Sequence, residues 1–146
     1  MSRLASTEFA GRLVDEINAN PAFAREAQWF DGSVLVDDGG GQVWLKVYNG
    51  RVIDHHPFTP PTGYTFKVAG PGDAWDELIA GTKFTDLVLG GTRRFQSVAS
   101  VVDGVGFAHG RITFEGNTME AFRLIEAIYL IADSYAATAN KKESAA

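Results

Sequence analysis

The sequence predicts a single soluble α+β domain with five strand segments. Apolar residues recur at helical spacing in the first part of the chain. They then alternate with polar residues in short segments bounded by turn residues, and they return to helical spacing near the end. This change of period, and the change back, indicates a set of strands that lies between helices.

Composition limits the class of protein. The 146 residues include 45% hydrophobic residues, which suits one domain with a substantial core. The chain has no cysteine, and this excludes disulfides, thiolate nucleophiles and cysteine-based zinc sites. The formal net charge is −5 and the arginines are scattered, apart from Arg93 and Arg94, so we expect no nucleic acid partner.

Capping residues and apolar spacing predict two helices at the start of the chain. The first helix begins at an N-cap of Ser6 or Thr7. Its apolar positions, four residues apart, are Phe9, Leu13 and Ile17. Asn20 and Pro21 are typical of an N-cap and a first helical residue, which predicts a short second helix over residues 21–28.

A three-strand meander is predicted next. Its strands are residues 33–36, 42–48 and 51–55. The Asn49-Gly50 pair predicts a type I′ hairpin turn, because both central residues of that turn need positive φ. Counting outward from this turn pairs Trp44 with His55, so we expect their side chains to touch.

The remaining chain adds two strands. Alternating apolar residues predict a fourth strand over residues 64–68 and a fifth over residues 106–115. A helix begins after Gly70-Pro71 and ends at Gly81, which is placed as a left-handed cap.

Further helices are predicted in the second half of the chain. Short ones lie over residues 84–88 and after a Thr92 cap. The last helix runs from Thr118 to about Tyr135 behind an Asn117 cap, and its apolar residues cover more than one face. We expect residues 1–137 to form the domain and residues 138–146, which are small and polar, to be a disordered tail.

Two runs of sequence resemble the sterol carrier protein 2 family. Residues 64–81 resemble the family's strand, short polar turn and helix that ends at Ala-Gly. Residues 110–124 resemble its closing strand, Glu-Gly-Asn turn and C-terminal helix. The resemblance covers residues 9–135, and its motifs are turn and packing signatures with no catalytic signature among them.

The resemblance implies a five-stranded, mostly antiparallel sheet with helices on one face and an apolar tunnel between them. Family members bind sterols, fatty acids, acyl-CoA or related lipids without covalent chemistry, so no cofactor and no metal are expected. The tunnel wall would come from residues 84–102, the last helix and the inward face of the sheet. The candidate wall residues are Trp44, Phe66, Trp75, Phe84, Leu87, Phe95, Val98, Phe107 and Ile128. Each of them also fits simple core packing.

The chain departs from the family in two places. Residues 82–105 form a longer connection than in a simple member, which would reshape or cover the cavity. The C-terminus lacks the Ser-Lys-Leu peroxisomal signal of some eukaryotic relatives. No secretory pattern and no apolar stretch of roughly 20 residues is present, so we expect a bacterial cytoplasmic protein without stable membrane insertion.

Two groups could add polar chemistry to such a pocket. His55, next to Trp44, would serve as a general base or hydrogen-bond donor, or it is a strand-end histidine in solvent. Adjacent strand residues point to opposite faces, so His55 and His56 would not share a metal. Arg93, which follows Gly90-Gly91-Thr92, would hold an acidic ligand head group, or it is a surface residue paired with carboxylates.

Three functions therefore remain open from the sequence. The first is a non-enzymatic carrier of a hydrophobic small molecule. The second is a small isomerase, hydratase or lyase that acts on a hydrophobic substrate with His55 as its acid or base. The third is a structural domain, such as a homodimer, in which a partner subunit covers the apolar last helix.

Overall fold

The computed structural model describes residues 3–89 and 111–145 of the chain. The helices within these residues are α1 (Thr7–Ala19), α2 (Pro21–Ala27), α3 (Gly72–Ile79), α4 (Phe84–Leu89), α5 (Thr118–Arg123) and α6 (Ile125–Ala145). The strands are β1 (Gly32–Asp37), β2 (Gln42–Tyr48), β3 (Arg51–His56), β4 (Phe66–Ala69) and β5 (Thr113–Gly116).

The strands form one mixed sheet with the order β3-β2-β1-β4-β5. Neighbouring strands run antiparallel except for β1 and β4, which are parallel. The predicted α+β class and the five-stranded, mostly antiparallel sheet are therefore confirmed. The fifth strand is shorter than the predicted segment 106–115 because it begins at Thr113, and residues 106–110 lie outside the described residues.

Alternate strand residues bury one face of the sheet against the helices. Val34, Leu45 and Phe66 share this face, and they belong to one hydrophobic cluster with residues of α1, α2, α3, α4 and α6. Helix α6 contacts α1, α2 and α3, and these contacts account for its apolar residues on more than one face.

Capping side chains begin helices α1 and α2, and a glycine follows helix α3, where the sequence predicts. Ser6 accepts a hydrogen bond from the Phe9 N–H at 3.2 Å, and Asn20 accepts one from the Ala22 N–H at 2.9 Å. Gly81 has a φ of +114°, and its N–H donates to the Leu78 carbonyl. The N–H of the next residue, Thr82, donates to the Glu77 carbonyl. This is the Schellman arrangement that favours glycine after a helix.

The hairpin turn is as predicted, but the register beyond it is not. Asn49 and Gly50 both have positive φ, and the pairs next to the turn follow the prediction. A β-bulge then places one extra residue, Ile53, in β3. Trp44 therefore pairs with His56, and the prediction that it touches His55 is wrong.

The bulge lies where helix α1 covers the edge of the sheet. The Asn18 side chain donates to the Val52 carbonyl at 3.0 Å and accepts from the Val52 N–H at 2.9 Å. Strand β3 is an edge strand, so these two backbone groups have no neighbouring strand on that side. Their partner is a helix side chain, which no strand periodicity signals.

The C-terminal region also differs from the sequence prediction. The pattern predicts one helix over residues 118–135 and a disordered tail over 138–146, whereas the helix breaks at Leu124 and then continues to Ala145. Thr138 is only 3% exposed, and its hydroxyl donates to the Ser134 carbonyl at 2.7 Å. Alanine, lysine and glutamate dominate the predicted tail and are good helix formers, so the segment extends the packed helix.

A buried carboxylate connects the two ends of the described chain. Asp38 is 1% exposed, and its Oδ2 accepts from the N–H groups of Arg3 at 3.0 Å and Leu4 at 2.9 Å. The same oxygen accepts from the Tyr135 hydroxyl at 2.8 Å, and Oδ1 accepts from the Gly41 N–H at 3.2 Å. Burial and the Asp38 charge raise the pKa of Tyr135 well above its usual value, so its hydroxyl remains a donor.

We predict that Tyr135→Phe lowers the free energy of unfolding by about 1.5–3 kcal/mol, because a buried carboxylate loses a donor. Urea denaturation followed by far-UV circular dichroism measures the change. Tyr129→Phe, on the same helix, is the matched control and should change stability by less than about 0.5 kcal/mol. Equal losses for the two variants would contradict this role of Tyr135.

Candidate functional site

The described part of the predicted wall comes together in the core. Phe66 on β4, Trp75 on α3 and Ile128 on α6 are almost completely buried, and so are Phe84 and Leu87 on α4. All five belong to the hydrophobic cluster between the sheet and the helices. Four separate elements therefore contribute large apolar side chains to the same hydrophobic core.

Local sequence patterns point these side chains inward. Phe66 pairs with Val34 across the parallel strands, so both occupy the helix-covered face of the sheet. Trp75 lies on the buried stripe of α3. Phe84 and Leu87 are three residues apart, and this spacing puts them on one side of α4.

Aromatic contacts connect the wall to helix α6. The Phe84 ring meets Tyr129 edge to face, with ring centroids 5.7 Å apart. The Trp75 ring lies 4.7 Å from the ring of Tyr135. Through Tyr135, the wall is therefore continuous with the buried Asp38 carboxylate.

Polar bonds join helices α3 and α4 to the residues that precede β5. The Leu87 carbonyl accepts from the N–H groups of Arg111 at 2.8 Å and Ile112 at 3.2 Å. The Arg111 guanidinium pairs with Asp73 at 2.9 Å and also with Glu77, both on α3. Backbone and guanidinium groups thus join α3 and α4 to this segment, in addition to the apolar side chains that they share in the cluster.

Trp44, in contrast, lies on the other face of the sheet. It pairs with Leu35, and neither residue belongs to the hydrophobic cluster. Its ring stacks on His56 with centroids 5.4 Å apart, and its indole N–H donates to the Gly63 carbonyl at 3.1 Å. The structure therefore does not bring Trp44 to the other candidate wall residues.

His56 occupies the position beside Trp44 that the sequence predicts for His55. His56 lies between Trp44 and Phe58, and its Nε2 is 3.1 Å from a carboxylate oxygen of Asp54. His55 pairs with Leu45 on the helix-covered face and is half-buried at the end of β3. The Asp54 carboxylate accepts from the backbone N–H of His55 and pairs with the ring of His56, so it orients the His56 ring and not that of His55.

The comparisons with solved structures concern the whole arrangement of strands and helices. A crystal structure of sterol carrier protein 2 matches with a TM-score of 0.57 and 13% sequence identity, over 91% of this chain and 97% of that one. A solution structure of a conserved hypothetical protein from Thermus thermophilus, a candidate sterol carrier protein, matches with a TM-score of 0.59 and 12% identity. That match covers 91% of this chain and 87% of the other. The chain has the sterol carrier protein 2 fold.

The likeness to sterol carrier protein 2 is one of structure. No protein-family model and no curated protein matches the sequence. The family resemblance found in two runs of sequence is confirmed at the level of the fold. Within the described residues, no helix is long and apolar enough to cross a membrane.

Some expected features of a sterol carrier protein 2 site fall outside the described residues. They are Arg93, Phe95, Val98 and Phe107, together with the helix predicted after Thr92. Among the residues that the structure describes, no three His, Asp or Glu side chains are grouped as they would be around a metal ion.

A polar groove between helices is a feature that the sequence does not signal. It measures about 350 Å³ and lies where the end of α1 and the start of α2 meet α6. Its lining residues are Glu16, Ala19, Asn20, Pro21, Asp133, Ser134 and Ala137. Two carboxylates and the absence of large apolar side chains from this lining make it unsuited to a lipid chain.

We predict an energetic coupling between Trp44 and His56 of about 0.5–1.5 kcal/mol, as expected for stacked rings. A double-mutant cycle with Trp44→Ala and His56→Ala, measured by urea denaturation, gives this value. The same cycle with His55→Ala in place of His56→Ala should give a coupling near zero. Coupling to His55 instead would support the unbulged register.

Proposed function

We propose that the protein binds and carries a hydrophobic small molecule, of the sterol, fatty acid, acyl-CoA or related lipid class, without covalent chemistry. The binding region would lie between the helix-covered face of the sheet and helices α3, α4 and α6. The observation that carries the proposal is the convergence of Phe66, Trp75, Phe84, Leu87 and Ile128 in one cluster on a sterol carrier protein 2 fold.

The chemistry of this wall favours an apolar ligand. Its described side chains are aromatic or branched aliphatic, and each loses contact with water in the cluster. Each methylene group that a ligand transfers from water to such surroundings contributes about 0.8 kcal/mol. Binding free energy should therefore increase with the length of the ligand chain.

The framework around the wall also supports binding. The ion pairs of Arg111 with α3 and the backbone bonds of the Leu87 carbonyl join α3 and α4 to the residues before β5. Wall side chains can then move apart around a ligand while these bonds remain. An acidic ligand head group would be held by Arg93, as the sequence suggests.

We predict that the affinity for saturated fatty acids increases about fourfold for each added methylene, until the site is filled. Displacement of a fluorescent fatty acid, with the chain length of the competitor varied, measures this slope. Native mass spectrometry of the purified protein, followed by solvent extraction, would identify a retained ligand.

A matched pair of variants places the binding region. Phe84→Leu changes a wall residue and should lower the affinity several-fold, whereas Phe58→Leu changes a residue that is 54% exposed beside His56 and should have no effect. A flat dependence on chain length, or equal effects of the two variants, would argue against the proposed site.

We further predict that His55→Ala leaves ligand affinity unchanged within about twofold. A carrier without covalent chemistry needs no general base, and among the described residues the Asp54 carboxylate pairs with the His56 ring and not with the His55 ring. The displacement assay measures this affinity. Retained binding together with loss of a measurable turnover of the extracted ligand would instead favour an isomerase, hydratase or lyase.

A further inference from the structure

The indole N–H of Trp75 has no acceptor within the described parts of the chain. The side chain is 1% exposed, and its Nε1 is shielded from solvent. A buried donor without an acceptor is costly, and native structures pair nearly all such groups with protein, water or ligand. The missing acceptor therefore calls for a physical explanation.

The surroundings of Trp75 show which groups lie next to this donor. The ring packs against Tyr135, whose hydroxyl already donates to Asp38. The Nε1 edge faces the backbone of Gly70, where an added Cβ would lie 3.3 Å from Nε1, 3.0 Å from the Arg111 carbonyl oxygen and 2.8 Å from the Ile112 side chain. The donor thus lies at the junction of β4, α3 and the residues that precede β5.

Another buried indole of the described chain, on the opposite face of the sheet, has an acceptor. Trp44 is 8% exposed, and its N–H donates to the Gly63 carbonyl at 3.1 Å. Trp75 is more completely buried and lies in the proposed lipid-binding wall, yet no described carbonyl accepts a hydrogen bond from its Nε1. A loop supplies the acceptor on the open face of the sheet, whereas none of the described residues does so in the wall.

We propose that the Trp75 N–H donates a hydrogen bond to a neutral carbonyl oxygen of the bound lipid. This inference rests on the proposed function and narrows its ligand class to lipids with an ester, thioester or ketone carbonyl. A neutral carbonyl fits better than a carboxylate, because the described neighbours of Nε1 are apolar side chains and backbone. A plain hydrocarbon would leave the donor unpaired.

The test compares methyl laurate with tetradecane, which has the same chain length but no carbonyl. Trp75→Phe keeps an aromatic ring and removes the N–H. It should lower the affinity for methyl laurate about fivefold to tenfold more than the affinity for tetradecane, as measured by displacement of a fluorescent fatty acid. Trp44→Phe is the matched control and should change neither affinity.

A measurement on the unmodified protein removes the dependence on how the variant folds. In a ¹⁵N–¹H spectrum, the indole N–H resonance of Trp75 should move downfield with methyl laurate and not with tetradecane. A shift with neither ligand, or equal effects of Trp75→Phe on both ligands, would overturn the inference, since the acceptor would then be water or the chain itself. If the protein binds neither ligand, the proposed function fails as well; if it binds both without this selectivity, only the role of Trp75 fails.

Discussion

The buried Asp38 carboxylate is the constraint on which the arrangement of the chain depends. A carboxylate without water needs hydrogen-bond donors on both oxygens. A residue close to Asp38 in sequence, Gly41, provides one of these donors through its N–H. The others come from residues 3 and 4 and from Tyr135, which is 97 positions away. The start of the chain and helix α6 must therefore meet at the turn between β1 and β2.

This meeting point determines how the helical layer covers the sheet. Once Tyr135 is held at the end of β1, helix α6 has to lie against α1, α2 and α3. The rings of Phe9 and Trp75 then pack on Tyr135 from α1 and α3, with centroids 5.2 Å and 4.7 Å away. A single polar group thus positions the apolar layer that would receive a ligand.

Much of the fold could be predicted because its signals are local. A cap such as Asn20, the positive φ of Asn49-Gly50 and the glycine after α3 act within a few residues, and the structure follows each of them. The five strand segments also follow from alternation that depends on one buried face. These features need no knowledge of distant contacts.

The parts that could not be predicted depend on contacts between distant residues. The bulge at Ile53 lies where Asn18 of α1 binds the edge strand, and it moved the partner of Trp44 from His55 to His56. One inserted residue also reversed the sheet face of each histidine, and the Asp54 carboxylate pairs with His56. The donors to Asp38 were equally invisible, since a single aspartate after a strand reads as an ordinary turn residue.

A plain core and a binding wall differ in what holds their elements together. In a plain core, apolar side chains supply most of the adhesion between elements, so parting them would separate the elements as well. Here α3, α4 and the residues before β5 are also joined by the Arg111 ion pairs and by the backbone carbonyl of Leu87. Elements joined by such polar bonds can exchange contacts between wall side chains for contacts with a ligand, and the net cost is small because apolar surface stays buried in both states. A donor such as Trp75 Nε1 fits this view, since a wall that closes only on a ligand can leave one polar group for the ligand to satisfy.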